Sequence, residues 1–335
     1  MRNKVTIAAL AKELGLSQSA VSKALNDYPD ISPETKRLVR SKAAELGYSP
    51  NAFARNLAKK TSNFVGVVIN DMSCVYGEMF KALNMEARRH GLNLILYDTN
   101  NDPDTEAECM RSLLDMMPLG IVVAPVNGHI EQIRKMTENR VPVVYLGENI
   151  RDDSVNHVRV DGKAGMERAL RHLIDKGHRK IVMLCDQEPF VSQNEKVKVY
   201  QEWMRRLWQQ EQILYSDAQD CNPAEAGYRL GKRLLTSRME YTAVIAVSDL
   251  LAIGAIGALR EAGVKVPQQV AVVGHDGINA SALPSVGLTT VAQPREKMAE
   301  TIIDILRRHA QDPASAPEHI VVKPELIIRN STAMR

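Results

Sequence analysis

Cysteine is scarce and does not form a framework: Cys74, Cys109, Cys185 and Cys221 lie far apart, with no Cys-x-x-Cys and no Cys/His cluster. A disulfide scaffold and a zinc site are excluded on that count, which leaves buried or incidental thiols. No apolar run approaches the roughly 18 residues a membrane span needs, and Met1-Arg2-Asn3-Lys4-Val5 lacks the apolar core of a signal peptide. A cytoplasmic protein without membrane contact is the expectation. Catalytic signatures are missing as well. There is no Gly-x-Gly-x-x-Gly, no Gly-x-x-x-x-Gly-Lys-Ser/Thr, no Gly-x-Ser-x-Gly and no His-x-x-x-His among the eight histidines. Neither an enzyme activity nor a metal or cofactor is expected.

The chain has 335 residues, of which 44% are hydrophobic and 25% charged, enough for two or three globular domains. Its net charge of +3 is unevenly spread: residues 1–60 hold eleven Lys and Arg against five Asp and Glu, so the basicity belongs to the head and the remainder is slightly acidic. Such asymmetry suits a polyanion-binding head on an ordinary body, or a merely solvated basic surface.

Within the head, Thr6 can cap a helix whose apolar residues Ile7, Leu10, Ala11 and Leu14 share one face, and Gly15 stops it. Ser17 is a second N-cap, opening a helix from Gln18 to Leu25 in which Val21, Ala24 and Leu25 face inward while Gln18, Ser19, Ser22 and Lys23 point elsewhere. A third helix begins at Ser32-Pro33-Glu34 and runs to Gly47, with Leu38, Val39, Lys42 and Leu46 suited to lie half on the core. Two helices joined by a tight turn, with polar residues opening the second, form the arrangement that places a recognition helix in the major groove. Other three-helix domains pack this way without touching DNA. After Tyr48-Ser49-Pro50, the segment 51–59 has helical composition but is too short to be stable unaided.

These residues resemble the LacI/GalR (lactose-repressor) family of bacterial transcriptional regulators. The similarity runs through Val5-Thr6-Ile7, Leu16-Ser17, Ala20-Val21-Ser22-Lys23-Ala24-Leu25-Asn26, Ile31-Ser32-Pro33-Glu34-Thr35, Leu46-Gly47-Tyr48 and Pro50-Asn51-Ala52-x-Ala54-Arg55-x-Leu57. It implies a helix-turn-helix over about 6–26 in a DNA-binding domain 1–60. It also implies a hinge helix at 51–59 that orders in the minor groove, with Leu57 as the wedge that kinks the duplex. Gln18 and Ser19 fall on the base-reading pair and Lys23 on a third reading position, where many relatives carry Arg. Thr6, Ser17, Ser22, Asn26, Asn51 and Arg55 complete the implied DNA contacts.

From Phe64 the pattern becomes short β-rich runs at 64–69, 92–97, 120–124 and 141–146, alternating with helical stretches near 77–91, 104–117 and 128–139. It then restarts: helices near 162–177, 193–210, 223–237 and 249–262 alternate with strands at 180–184, 243–247 and 270–274. This is βαβ alternation, hence parallel doubly wound sheets in two lobes, about 61–161 and 162–288, with 289–335 crossing back between them. Ligands of such sheets bind at the carboxyl ends of strands, although those ends are polar in any α/β protein.

The resemblance extends over the body through Gly177-His178-Arg179, Ser248-Asp249-x-x-Ala252-x-Gly254-Ala255, Val272-Val273-Gly274-x-Asp276 and Thr290-Val291-x-Gln293-Pro294. It implies a periplasmic-binding-protein-like core, 61–335, with a small-molecule effector between the lobes. Asp276 and Asp249 would accept from ligand hydroxyls, with Asp71, Ser73, Tyr76, Lys196, Asn222, Ser248 and Gln293 as further lining. Several positions depart from the family pattern: Cys74-Val75-Tyr76-Gly77 replaces Asn-Pro-Phe-Phe, Lys196 stands at an arginine, Asn222 at an aromatic, Ser248 at an asparagine, and Asp161-Gly162 at Asp-Asn. A small, hydroxylated or anionic ligand, a sugar or sugar derivative, fits such a polar lining better than a purine. The expected partners are pseudo-palindromic double-stranded DNA, that effector and a second copy of the chain; no terminal leucine heptads suggest a tetramer. An enzyme on a doubly wound fold and a sugar-binding transport component are the alternatives, disfavoured by the missing motifs, the missing export signal and the basic head.

Overall fold

The computed structural model describes residues 5–48, 62–72, 74–126, 130–138, 140–147, 150, 152–186, 191–217 and 222–333. Head and body form two compact units, Met1–Ser62 and Asn63–Arg335.

The head holds three helices, α1 (Ile7–Leu14), α2 (Gln18–Leu25) and α3 (Pro33–Glu45). Each begins on the hydroxyl its sequence offers. Thr6 Oγ1 accepts the Ala9 amide at 3.2 Å, Ser17 Oγ that of Ala20 at 3.1 Å and Ser32 Oγ that of Thr35 at 3.1 Å, each satisfying an orphan donor of the first turn. Gly15 ends α1 with φ 64°. The three helices close on Leu10, Ala11, Val21, Ala24, Val39 and Ala43. Leu38, expected to lie half on this core, is instead 55% exposed, because Val39 and Ala43 already fill the inward stripe of α3.

The body contains two six-stranded sheets. In chain order the elements are β1 (Phe64–Ile69), α4 (Cys74–Arg89), β2 (Asn93–Asp98), α5 (Pro103–Asp115), β3 (Gly120–Val123), α6 (Ile130–Thr137), β4 (Val143–Leu146) and β5 (Asn156–Val160). There follow α7 (Gly162–Asp175), β6 (Ile181–Cys185), α8 (Val191–Arg206), β7 (Ile213–Tyr215), α9 (Pro223–Thr236), β8 (Ala243–Ala246), α10 (Asp249–Glu261) and β9 (Ala271–Asp276). A short 3-10 turn (Asn279–Ala282), β10 (Thr289–Ala292), α11 (Arg295–Gln311), β11 (His319–Val322) and β12 (Glu325–Ile327) complete the chain. The first sheet runs β11-β5-β4-β3-β1-β2 and the second β12-β10-β9-β8-β6-β7.

Alternation along β1 shows why both faces are covered. Val65, Val67 and Ile69 join a core formed with α4 and α11, while Phe64 and Val68 join one formed with α5 and α6. The second sheet is buried on both faces in a single cluster that includes α7, α8, α9 and α10. In that layer α9 and α10 meet backbone to backbone: a Cβ at Gly254 would stand 2.0 Å from the Ala224 carbonyl oxygen, and one at Gly227 2.2 Å from that of Leu251. Only glycine permits that approach.

The first sheet is parallel throughout. In the second, β12 pairs antiparallel with β10, a departure from the all-parallel expectation. β12 enters the second sheet straight from β11 of the first, after only Lys323 and Pro324, without the helical crossover that returns a chain parallel to its neighbour. The chain therefore passes between the lobes three times, at Asp161, at Gln293-Pro294 and at Lys323-Pro324. Strand order reverses between β1 and β3 and between β6 and β8, the points at whose strand carboxyl ends open sheets of this kind bind ligands.

Candidate functional site

On the head, Gln18 and Ser19 are exposed in the first turn of α2, with Ser22 half-buried one turn later beside Lys23, whose side chain is substantially exposed. Ser17 spends its hydroxyl on the cap, while Asn26 closes the helix by donating Nδ2 to the Ser22 carbonyl at 2.8 Å. Lys23 Nζ sits 2.5 Å from Asp30 Oδ2, and that hydrogen-bonded carboxylate raises the Lys23 pKa. Asp27, at φ 62°, faces Lys36 Nζ at 3.1 Å and Arg40 Nη2 at 3.2 Å, so the turn after α2 is fastened to α3 by charge. The result is a rigid helix start presenting amide and hydroxyl groups outward, which is what reading base edges requires. Asn51, Arg55 and Leu57 lie outside the described residues.

On the second lobe, the chain at the end of β9 is held in an unusual conformation. Asp276 has φ 120° and Gly277 φ 69°, and a Cβ on Gly277 would lie 2.6 Å from the Ala292 Cα. A non-glycine residue held at positive φ needs surrounding contacts to keep it there. Arg295 supplies them by donating to the Asp276 carbonyl at 2.6 Å and the Gly277 carbonyl at 3.1 Å. Parallel pairing of β9 with β10 sets Asp276 beside Ala292, which brings Gln293 Nε2 to 3.4 Å from Asp276 Oδ1. Asp276 and Gln293 are thus assembled together, a carboxylate acceptor next to an amide.

Asp249 behaves differently from the expectation. It is fully buried, and its oxygens accept the Ile278 amide at 2.8 Å and the Thr290 hydroxyl at 2.5 Å. Burial pushes its pKa up to about 6 against those hydrogen bonds. Its acceptors are spent inside the lobe, so it braces the β9 turn and does not line the cleft. Ser248 is half-buried and caps α10 by accepting the Leu251 amide at 3.3 Å. Asn222 is exposed and caps α9 through Oδ1, at 2.9 Å from the Ala224 amide. Lys196 is 5% exposed and close enough to His275 to help burial hold that imidazole neutral.

On the first lobe, Asp71 is exposed past the end of β1, and Tyr76 is half-buried on α4 against the core of that face. Asp98, at the end of β2, accepts the Met72 amide at 3.2 Å and the Asn100 amide at 2.9 Å, so it shapes the loop that carries Asp71. Ser73 lies outside the described residues. Arg295 carries no sequence signal: it follows the Gln293-Pro294 pair, and nothing in its spacing marks it. Among the described residues, no group of three His, Cys, Asp or Glu could hold a metal ion, and no helix is long and apolar enough to cross a membrane.

The HTH-type transcriptional repressor PurR of Glaesserella parasuis is 30% identical over 97% of this chain and 98% of its own length. The chain belongs to the LacI/GalR family of transcriptional regulators. Another relative in the family, catabolite control protein A of Staphylococcus epidermidis, is 28% identical over 98% of this chain and 99% of its own. The family model for a periplasmic binding protein-like domain matches residues 170–332. Among solved structures, the Lac repressor dimer bound to operator and the anti-inducer ONPF superposes with a TM-score of 0.86 at 22% identity, over 99% of this chain and 100% of that one. The transcriptional regulator CelR–cellobiose complex does so with 0.70 at 23% identity, over 98% and 100%. Like its LacI/GalR relatives, the protein is a transcriptional regulator and not an enzyme.

Proposed function

We propose that the protein is a cytoplasmic, homodimeric repressor that binds pseudo-palindromic operator DNA and changes its affinity when a small polar effector, a sugar or sugar derivative, enters the interlobe cleft. The observation that carries this reading is the presentation of Gln18 and Ser19 on the first turn of a side-chain-capped helix in a head whose excess charge is positive. Gln18 reads a base, Ser19 tolerates its neighbour, and Thr6, Ser17, Ser22, Asn26, Asn51 and Arg55 hold the backbone, with Leu57 as the minor-groove wedge. In the cleft, Asp276 and Gln293 take ligand hydroxyls, with Asp71, Ser73, Tyr76, Lys196, Asn222 and Ser248 around them. The lac repressor was solved as an operator-bound dimer and the CelR structure with cellobiose, in keeping with both halves of the reading.

The test has two arms. Selection of bound duplexes from a random pool yields a two-fold symmetric site, and Gln18→Ala relaxes it at one position per half-site while costing about 1–3 kcal/mol. A thermal-shift screen of sugars, sugar acids and phosphosugars finds a ligand that stabilises the wild type by mass action and not Asp276→Asn. Recovery of no preferred sequence would sink the first half of the proposal; equal stabilisation of both proteins would sink the second.

A further inference from the structure

The turn that carries Asp276 is fastened to the opposite lobe through two side chains, Glu78 on α4 and Arg295 at the start of α11. Glu78 lies on α4, whose inward residues Met79, Leu83 and Ala87 belong to the core of the first sheet. Its Oε1 accepts the backbone amide of Asn279 at 2.7 Å, and Asn279 opens the 3-10 turn that follows β9 of the second sheet. Its Oε2 faces Arg295 Nη1 at 3.3 Å. Arg295 is only 9% exposed and directs its guanidinium to the carbonyls of Asp276 and Gly277. The 3-10 turn is itself locked into the second lobe: Ile278 is held by Asp249, Ser281 Oγ donates to the Ile278 carbonyl at 2.6 Å, and Arg329 reaches Ser281 Oγ at 3.1 Å.

From this geometry we infer that Glu78 and Arg295 are positioning residues forming an interlobe clasp, which couples the order of the Asp276 turn in the second lobe to that of α4 in the first. A planar guanidinium is suited to this task, because one rigid group spans two carbonyls and a carboxylate where an ammonium is a point charge. Charge-assisted bonds in a nearly closed site are worth more than an exposed pair, and removal of one partner leaves buried groups unsatisfied. The clasp also gives the cleft a reporter. On the reading of Asp276 as an effector contact, a ligand that moves its turn must strain or release Glu78, so the occupied state is felt on the helix of the other lobe. That last step rests on the proposed function; the clasp does not.

Hydrogen exchange read by mass spectrometry on the full-length, ligand-free protein decides the matter. Glu78→Ala, made in the first lobe, is read over 276–283 in the second. Asn279→Pro, made in the second lobe, is read over α4, 74–89, in the first. Proline removes only the donor there, since Asn279 is the first residue of the turn and Ile278 already has the extended backbone that precedes proline (φ −67°, ψ 155°). Each variant is expected to speed exchange in the opposite lobe by about tenfold, the worth of one charge-assisted bond. Glu78→Gln, which keeps an acceptor for Asn279 but loses the charge facing Arg295, gives an intermediate change. Strand β8, 243–246, serves as the control and stays protected. Changes confined to the mutated lobe, or a β8 that exchanges as fast as the turn, overturn the clasp. Because no sugar is present, a cleft that binds none would defeat the effector reading and leave this result standing.

Discussion

Asp249 and Ile278 are 29 residues apart in sequence and meet at 2.8 Å, the carboxylate of the first residue of α10 accepting the amide that follows the Asp276-Gly277 turn. The same carboxylate takes the Thr290 hydroxyl from β10. One buried anion thereby joins a helix start, a strained turn and the neighbouring strand, and the neighbouring groove keeps its shape because none of the three can move alone.

That anion should give the fold a pH dependence of definite sign. Burial raises the Asp249 pKa from 3.8 to about 6, so the native state holds the proton more tightly than the unfolded chain does. This contribution is full below pH 4 and is lost as pH rises through about 6. At about 1.4 kcal/mol per pH unit, ionisation costs the fold on the order of 3 kcal/mol by neutral pH. Asn keeps an acceptor for Ile278 and can donate to Thr290, so Asp249→Asn should gain roughly that much on the wild type between pH 4 and pH 7. Urea denaturation of both proteins across that range measures the difference. Parallel pH profiles would show that the buried carboxylate is not the cause.

Two glycines on one helix should respond in opposite directions. Gly254→Ala places a methyl 2.0 Å from the Ala224 carbonyl oxygen, where backbone must shift, while Gly257→Ala finds nothing nearer than Tyr228 Cδ2 at 3.8 Å. The first is expected to destabilise by about 3 kcal/mol, the upper end of overpacking costs. The second should stabilise by up to about 1 kcal/mol through helix propensity. Denaturation midpoints of the two variants read this directly, and equal values would mean that α9 and α10 are free to slide apart.

Much of the architecture was legible because it is locally encoded. Thr6, Ser17 and Ser32 announce the three helix starts of the head, and the β-rich runs from Phe64 onward announce the central strands. What escaped depends on distant partners. In β5, Asn156 and His157 look too polar for an interior strand. Asn156 Nδ2 nevertheless donates to the Val143 carbonyl at 3.2 Å, and the His157 ring stacks on His319 at 4.8 Å, contacts that exist only once the sheet has formed. Asp249 and Asp276 are alike in sequence, each an aspartate at or just past the end of a strand of the second sheet. Their roles part only because Ile278 and Thr290 fold back onto the first, while Arg295 grips the backbone and not the carboxylate of the second.

The buried hydroxyl of Ser331 offers a test of how the chain end is secured. It accepts the Thr289 amide at 2.8 Å and donates to the Val272 carbonyl at 2.6 Å, and the residue is 1% exposed. Ser331→Ala strands a buried donor and should cost about 1–3 kcal/mol. Ser315→Ala removes only an exposed bond to Asp312 and should stay within about 0.5 kcal/mol. Thermal melts of the pair separate the two cases; a Ser331→Ala protein as stable as wild type would mean the tail is not docked in solution.

The Lys23–Asp30 pair bears on how the head meets DNA. Both side chains are substantially exposed, 43% and 51%, so their attraction is screened by solvent and adds little to stability. Asp30 is still a competitor, because while Lys23 holds it the ammonium is withheld from phosphate or guanine. Asp30→Asn should therefore leave the melting temperature unchanged and tighten binding to a duplex of arbitrary sequence at low salt, an effect that shrinks as salt is raised. If Lys23 then engages a phosphate, the slope of log affinity against log salt steepens by about 0.9. Lys23→Ala in the Asp30→Asn background must abolish both changes, since each acts through the same ammonium. Fluorescence anisotropy over a salt series measures affinity and slope together. Tightening that survives in the double variant would trace the effect to net charge alone and remove Lys23 from the DNA-facing surface of α2.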